Sequence, residues 1–296
     1  MSAFADRLIE GVRRIDTPLC VGVDPFPERI PPLFGDARAD CGALLRFGEA
    51  IVDIARAHAV VIKPQLGLFE PYGPEGVAAA RAISTYAQAK GMLVILDAKR
   101  GDIGTTADGY ARAALGPAPG FDADCVTVNP YLGRDSLEPF FAAAEARNKG
   151  VAVLVRTSNP GARDLQDLDV GGAPLWRRTA EMLAPFSARL RGASGWSGAM
   201  IVAGATYPDE ARALREVLPH ALLLVPGYGA QGASAADAVA GFTPGPHGRE
   251  GGVISSSRAI TYPPGAEAAA TIGDWRNIID AAMKAAAAEL RAACNV

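Results

Sequence analysis

The chain has 296 residues, 49% of them hydrophobic and 21% charged, which is enough apolar material for a sizeable core and excludes a disordered composition. Its net charge of −3 provides no basic stripe for nucleic acid, and no run of about 18 apolar residues offers a membrane span. The opening Met1–Leu8 carries early charge and lacks a secretory apolar stretch. Cys20, Cys41, Cys125 and Cys294 show no CxxC spacing, so a cytoplasmic protein with buried free thiols is expected.

In chain order, Phe4, Leu8, Val12 and Ile15 share one stripe and predict an opening helix over Phe4–Ile15. Strands are expected near Cys20–Val23, Ala59–Ile62, Leu93–Leu96, Cys125–Val128, Val151–Val155, Met200–Ala203, Leu222–Val225 and Val253–Ser255. Helical stretches fall between them at Cys41–Ala57, Glu75–Ala89, Thr106–Leu115, Leu137–Asn148, Leu175–Leu190, Asp209–Val217 and Ser234–Ala240, and Asp274–Ala293 closes the chain. Continuous apolar strands alternating with helices suit a closed (β/α)8 TIM barrel, a single α/β domain over residues 1–296. A doubly wound open sheet competes, but Gly22-Val23-Asp24-Pro25 stands where a GxGxxG would be expected after the first strand. Two Gly/Pro-rich stretches, Asn159–Gly172 and Gly241–Gly252, exceed ordinary connections and are candidate active-site loops.

In such a barrel the working groups follow the strands. Asp24 follows the first strand, Lys63 the second, Asp97 and Lys99 the third, Asn129 the fourth, Ser158 the fifth and Thr206 the sixth. Gly227–Gln231 follows the seventh and Arg258 the eighth. The densest group is Asp97-Ala98-Lys99-Arg100-Gly101-Asp102. Asp97 and Lys99, two apart on an extended chain, point the same way, and Asp102 can turn back to them or reach a neighbouring subunit. Charges held this closely shift one another's protonation and mark candidate functional sites. Only five lysines stand among 29 basic residues, and Lys63 and Lys99 both sit at strand ends. A lysine can surrender a proton where arginine cannot. Beyond the seventh strand, Pro226-Gly227-Tyr228-Gly229-Ala230-Gln231-Gly232 presents backbone N–H groups to an anion, and Arg258 adds a fork matched to phosphate. His58, His220 and His247 are scattered, so no metal site is expected.

Together these residues resemble the orotidine 5'-phosphate decarboxylase family. Asp97–Thr106 is similar to its DxKxxDI signature, in the KRGDIGxT form of the longer bacterial type (type 2). Val21–Pro25, Ile62–Gln65, Thr127–Tyr131, Arg156–Ala162 and Pro226–Gly232 extend the match in order along most of the chain. The resemblance implies a homodimeric barrel that converts orotidine 5'-monophosphate to UMP and CO2, the last step of de novo pyrimidine synthesis, without metal or organic cofactor. It implies Lys99 as proton donor to C6, and Lys63, Asp97 and Asp102 as the rest of the charged array, with Asp102 supplied by the other subunit. It further implies Asp24 on the ribose with Lys63, Thr106 reaching across the interface with Ile103 beside Asp102, Ser158 and Gln231 on the pyrimidine and closing loop, Pro226 at the substrate and Arg258 on the phosphate. The two long stretches exceed those of compact relatives, which leaves phosphate contacts other than Arg258 open. Three other readings share these residues: a metal-dependent sugar-phosphate decarboxylase or synthase with the same DxKxxD pattern, a Schiff-base aldolase using Lys63 or Lys99, and a catalytically silent nucleotide-binding barrel.

Overall fold

Period-two alternation along each strand sorts side chains between two cores, one inside a barrel and one beneath its helices. The computed structural model describes residues 2–229 and 232–295. Its strands are β1 (Leu19–Val23), β2 (Val61–Pro64), β3 (Leu93–Arg100), β4 (Cys125–Val128), β5 (Gly150–Arg156), β6 (Ser197–Ala203), β7 (Ala221–Val225), β8 (Thr243–Gly245), β9 (Gly248–Glu250) and β10 (Gly252–Ser256). Eight of them close a parallel barrel in the order β1-β10-β7-β6-β5-β4-β3-β2, while β8 and β9 form a separate antiparallel hairpin. This is the expected (β/α)8 barrel.

Leu19, Val21, Val94, Leu96, Val126 and Val128 point outward and pack under the helices. Cys20, Val61, Leu93, Ile95, Cys125, Ala152, Met200, Leu222 and Val253 point inward and form the inner core. The helix Phe4–Ile15 supplies the lower part of that inner core with Phe4, Ala5, Leu8, Ile9 and Val12. It therefore stoppers the N-terminal end of the barrel. At that end Asp6 accepts hydrogen bonds from the N–H groups of Ala193 (3.1 Å) and Ser194 (2.7 Å), tying the helix to the turn before β6.

Several expected elements differ in extent. The stretch Leu175–Leu190 is two helices, Leu175–Met182 and Ala184–Arg189. Pro185 in the first turn of the second lacks the N–H that a continuous helix needs there. Of the expected helix Ser234–Ala240 only Ala235–Ala238 forms, opened by a capping box between Ser234 and Asp237. Strand β3 runs on to Arg100, so Asp97 and Lys99 lie on the strand rather than after it.

The Gly241–Gly252 stretch is not an active-site loop. It precedes a barrel strand, and it lies at the N-terminal end. Its hairpin presents Glu250, which accepts from Arg13 Nη2 at 2.6 Å and Arg13 Nε at 2.8 Å on the opening helix, and from Trp196 Nε1 at 3.0 Å. Arg215 pins both ends of the stretch, donating to the carbonyls of Gly241 and Gly251 at 2.9 Å each. The Asn159–Gly172 stretch does follow a barrel strand, and it carries a short helix at Ala162–Gln166.

Candidate active site

The rows of side chains that are apolar low in the barrel turn polar near its C-terminal mouth. Cys20 and Gly22 lead to Asp24, Val61 to Lys63 and Gln65, Ile95 to Asp97, Cys125 to Thr127, and Val253 to Ser255 and Ser257. These polar groups line a cavity of about 530 Å³, with Leu154, Val202 and Leu224 as its apolar floor. The volume suits a small-molecule ligand.

Asp97 is the centre of the site. One of its oxygens accepts from Lys63 Nζ at 2.6 Å and Gln65 Nε2 at 2.9 Å. The other accepts from Lys99 Nζ at 2.6 Å and Thr127 Oγ1 at 3.0 Å. Burial pushes the Asp97 carboxyl up, but the two lysines outweigh burial and hold it well below the usual carboxylate range. For Lys63 burial acts to lower the pKa, but Asp97 and Asp24 outweigh it and raise the ammonium above its ordinary value. Both groups are therefore fixed as charges at neutral pH. The side chain of Lys99, by contrast, is 47% exposed and opens onto the cavity. Its backbone has a φ of +48°, uncommon outside glycine, where β3 and β4 fall out of register.

Asp24 is carried by the turn after β1. Tyr262 fixes that turn, its hydroxyl donating to the Asp24 carbonyl at 2.8 Å and accepting from the Phe26 N–H at 3.0 Å. The Asp24 carboxylate faces the cavity with Oδ1 buried and without a partner among the described residues. Gly22 lets β1 approach β10, since a Cβ there would collide with the Ser257 side chain.

Thr157, Ser158 and Asn159 enter the cavity from β5. Gln166 brackets Thr157, accepting from its N–H at 3.0 Å and donating to its hydroxyl at 2.8 Å. By simple alternation Arg156 would point inward, but a register shift against β6 turns it out of the cavity. There its guanidinium lies 2.7 Å from Asp167 and 3.3 Å from Glu210, over the Tyr207 ring at 3.8 Å. Asp167 belongs to the long stretch after β5, so this buried arginine anchors the loop that carries Ser158.

On the opposite wall stand Pro226, Gly227 and Tyr228 after β7, with Ser257 and Arg258 after β10. Tyr228 anchors its loop to the last helix by donating to Glu289 at 2.6 Å. The structure thus gathers Asp24, Lys63, Asp97, Lys99, Ser158, Pro226 and Arg258 around one space. Gln231 lies outside the described residues. Asp102, Ile103 and Thr106 do not line this cavity. They start the helix Gly104–Leu115, with the Asp102 carboxylate accepting from the Ile103 N–H at 2.8 Å and Ile103 58% exposed. Asn129 and Thr206 also stay outside the lining: Asn129 accepts from the Tyr131 N–H at 3.0 Å, and Thr206 donates to the Ser158 carbonyl at 3.4 Å.

Gln65, Thr127, Thr157, Asn159, Ser255 and Ser257 were not singled out by residue type, yet all line the cavity. Four of them continue inward rows at the strand period, a signal already present in the sequence. Among the described residues, no group of three or more His, Cys, Asp or Glu side chains is placed to hold a metal ion.

Residues 17–272 match the family model described as "Orotidine 5'-phosphate decarboxylase / HUMPS family". The chain is 38% identical over 295 residues to an orotidine 5'-phosphate decarboxylase from Rhodopirellula baltica, covering 95% of this chain and 97% of that one. It is 44% identical over 248 residues to one from Azoarcus sp., covering 83% and 85%. Among solved structures, the OMP decarboxylase of Leishmania donovani superposes with a TM-score of 0.77 at 32% identity, covering 98% of each chain.

Proposed function

We propose how this chain, which belongs to the orotidine 5'-phosphate decarboxylase / HUMPS family and decarboxylates orotidine 5'-monophosphate in pyrimidine biosynthesis, carries out its reaction. The observation that carries the reading is a half-exposed ammonium, that of Lys99, held at 2.6 Å by a buried carboxylate inside a cavity with Arg258 on its wall.

Losing CO2 breaks the C6–carboxylate bond and leaves its electron pair on C6, where no ring carbonyl is placed to delocalise it. Lys99 stabilises that charge as it forms and then transfers an Nζ proton to C6, giving UMP; solvent restores the proton to the amine. Asp97 aims the ammonium and stands against the substrate carboxylate. Two unit charges 4 Å apart interact by about 4 kcal/mol at an effective dielectric near 20, a minor part of an enzymatic barrier reduction. The larger part is assigned to the preorganised ammonium in an enclosed site. Lys63 completes the array and binds the ribose with Asp24. Ser158 and Gln231 read the pyrimidine edge, Pro226 packs at the substrate, and Arg258 holds the phosphate. Phosphate binding remote from C6 then contributes energy to loop closure and to organising the reacting centre.

The same reading makes the enzyme a cytoplasmic homodimer of the longer bacterial type (type 2), with residues 1–296 as one barrel domain. Asp102 completes the neighbouring site's charged array, with Ile103 and Thr106 beside it at that substrate. In support, all three lie outside the cavity of their own chain, and Ile103, like Tyr131 and Leu132 after β4, is an exposed large apolar side chain. No metal or organic cofactor takes part. The test is the loss of orotidine 5'-monophosphate absorbance with and without EDTA. Equal turnover in both is expected; turnover abolished by EDTA and restored by a divalent cation would replace this mechanism with a metal-assisted one.

A further inference from the structure

Between Leu96 and Arg100, strand β3 advances four residues while its partner β4 advances two, from Val126 to Val128. Such a bulge leaves backbone N–H groups without a partner in the ladder. The N–H groups of Ala98 and Lys99 both donate to one side-chain oxygen, Thr127 Oγ1, at 2.9 Å each. Thr127 is only 1% exposed, so its hydroxyl is shielded from bulk solvent.

A hydroxyl has two acceptor positions and one proton. With both acceptor positions taken by the bulge, the proton is committed to Asp97 Oδ1, 3.0 Å away. That oxygen also accepts from Lys99 Nζ at 2.6 Å. One buried hydroxyl thus grips Lys99 at both ends, directly at its backbone and through Asp97 at its ammonium. The backbone it grips is the left-handed turn at Lys99, a conformation that persists only where its surroundings enforce it. The β-branched threonine suits this task because its χ1 is stiff, whereas a serine hydroxyl has more freedom to swing.

We propose that Thr127 is a positioning residue for proton delivery: it sets the backbone turn that projects Lys99 and orients the Asp97 oxygen that aims the Lys99 ammonium. The proposal rests on Lys99 as the proton donor. Thr127→Val keeps the shape and removes the hydroxyl, Thr127→Ser keeps the hydroxyl, and Thr127→Ala removes both the hydroxyl and the methyl.

In the valine variant kcat is expected to fall about 100-fold, the scale of a reacting group displaced by roughly 1 Å, while KM stays within about threefold. The serine variant recovers most of the loss. If valine does not fold, as judged by circular dichroism, the comparison of serine with alanine decides: serine should exceed alanine in kcat by about tenfold or more. A folded valine variant with parental kcat, a loss confined to KM, or serine no better than alanine overturns the positioning role. Lys99→Ala is assayed in parallel. If it retains parental turnover, the lysine mechanism fails and takes this proposal with it; if it is inactive while Thr127→Val turns over at the parental rate, only the role of Thr127 is lost.

Discussion

At the mouth of the barrel, Lys63, Asp97 and Lys99 form a charged chain that ends on an ammonium facing open space, and an Asp24 oxygen beside them has no partner among the described residues. At the other end, Arg215 is buried and donates to the carbonyls of Gly241, Leu218, Pro219, Ala221 and Gly251 while stacking over Trp196. Glu250 is likewise filled by Arg13 and Trp196. Both ends bury charge. The floor spends the bonding capacity of its charged groups on the protein's own backbone and side chains, whereas the mouth leaves part of its capacity unspent and turned toward the cavity. Where charge is saturated it closes a structure; where it is left unsaturated it is available to a ligand.

The sharpest way to break this contrast is at Lys99. Lys99→Ala is expected to lower turnover by about 10⁴-fold or more in the absorbance assay, combining loss of the proton donor with loss of charge stabilisation, without lowering the melting temperature. A variant that melts early but still turns over would make Lys99 a floor-type residue. The reciprocal substitution is Arg215→Met, which leaves several buried carbonyls without donors. A loss of about 3–5 kcal/mol in urea unfolding is expected, with parental kcat in the molecules that remain folded. An unchanged unfolding midpoint would show that the guanidinium does not hold the hairpin.

The smallest effect concerns acid. Burial pushes the Glu250 carboxyl up, but its bonds to Arg13 and Trp196 outweigh burial and lower it below its ordinary 4.5. Its contribution to stability is therefore complete above about pH 4.5, the unfolded value, and is lost as pH falls through the folded one. Parent and Glu250→Gln should differ by about 1–3 kcal/mol at pH 7, and the gap should narrow below about pH 4.5. A gap that stays constant to pH 3 would remove Glu250 from the acid response.

Much of the barrel was legible in the chain, because continuous apolar strands between helical stretches admit few architectures. At the site, charge and lysine scarcity pointed to Asp24, Lys63, Asp97 and Lys99, and all four line the cavity. Thr127 and Ser257 carry no unusual chemistry by residue type; they become visible only when the inward row is extended two residues at a time. Arg156 could not be read that way, since the register shift after Leu154 reverses its direction. The Gly241–Gly252 stretch shows a different limit. Its composition announces a long connection, but only its place before a barrel strand assigns it to the floor. Asp102, Ile103 and Thr106 stand out in the motif yet lie outside this chain's cavity, because a motif read along the chain does not say which cavity its residues face.

The helix Phe4–Ile15 and the inner core stacked above it close the barrel beneath the cavity, whose polar lining lies at the mouth. Substrate enters and both products leave by the same passage. Traffic through one doorway has an order: carbon dioxide is small enough to slip past a nucleotide still seated in the cavity, and the nucleotide follows. The room cannot be refilled until the larger product has left, and the stopper at the far end, which does not line the cavity, is what forces the queue.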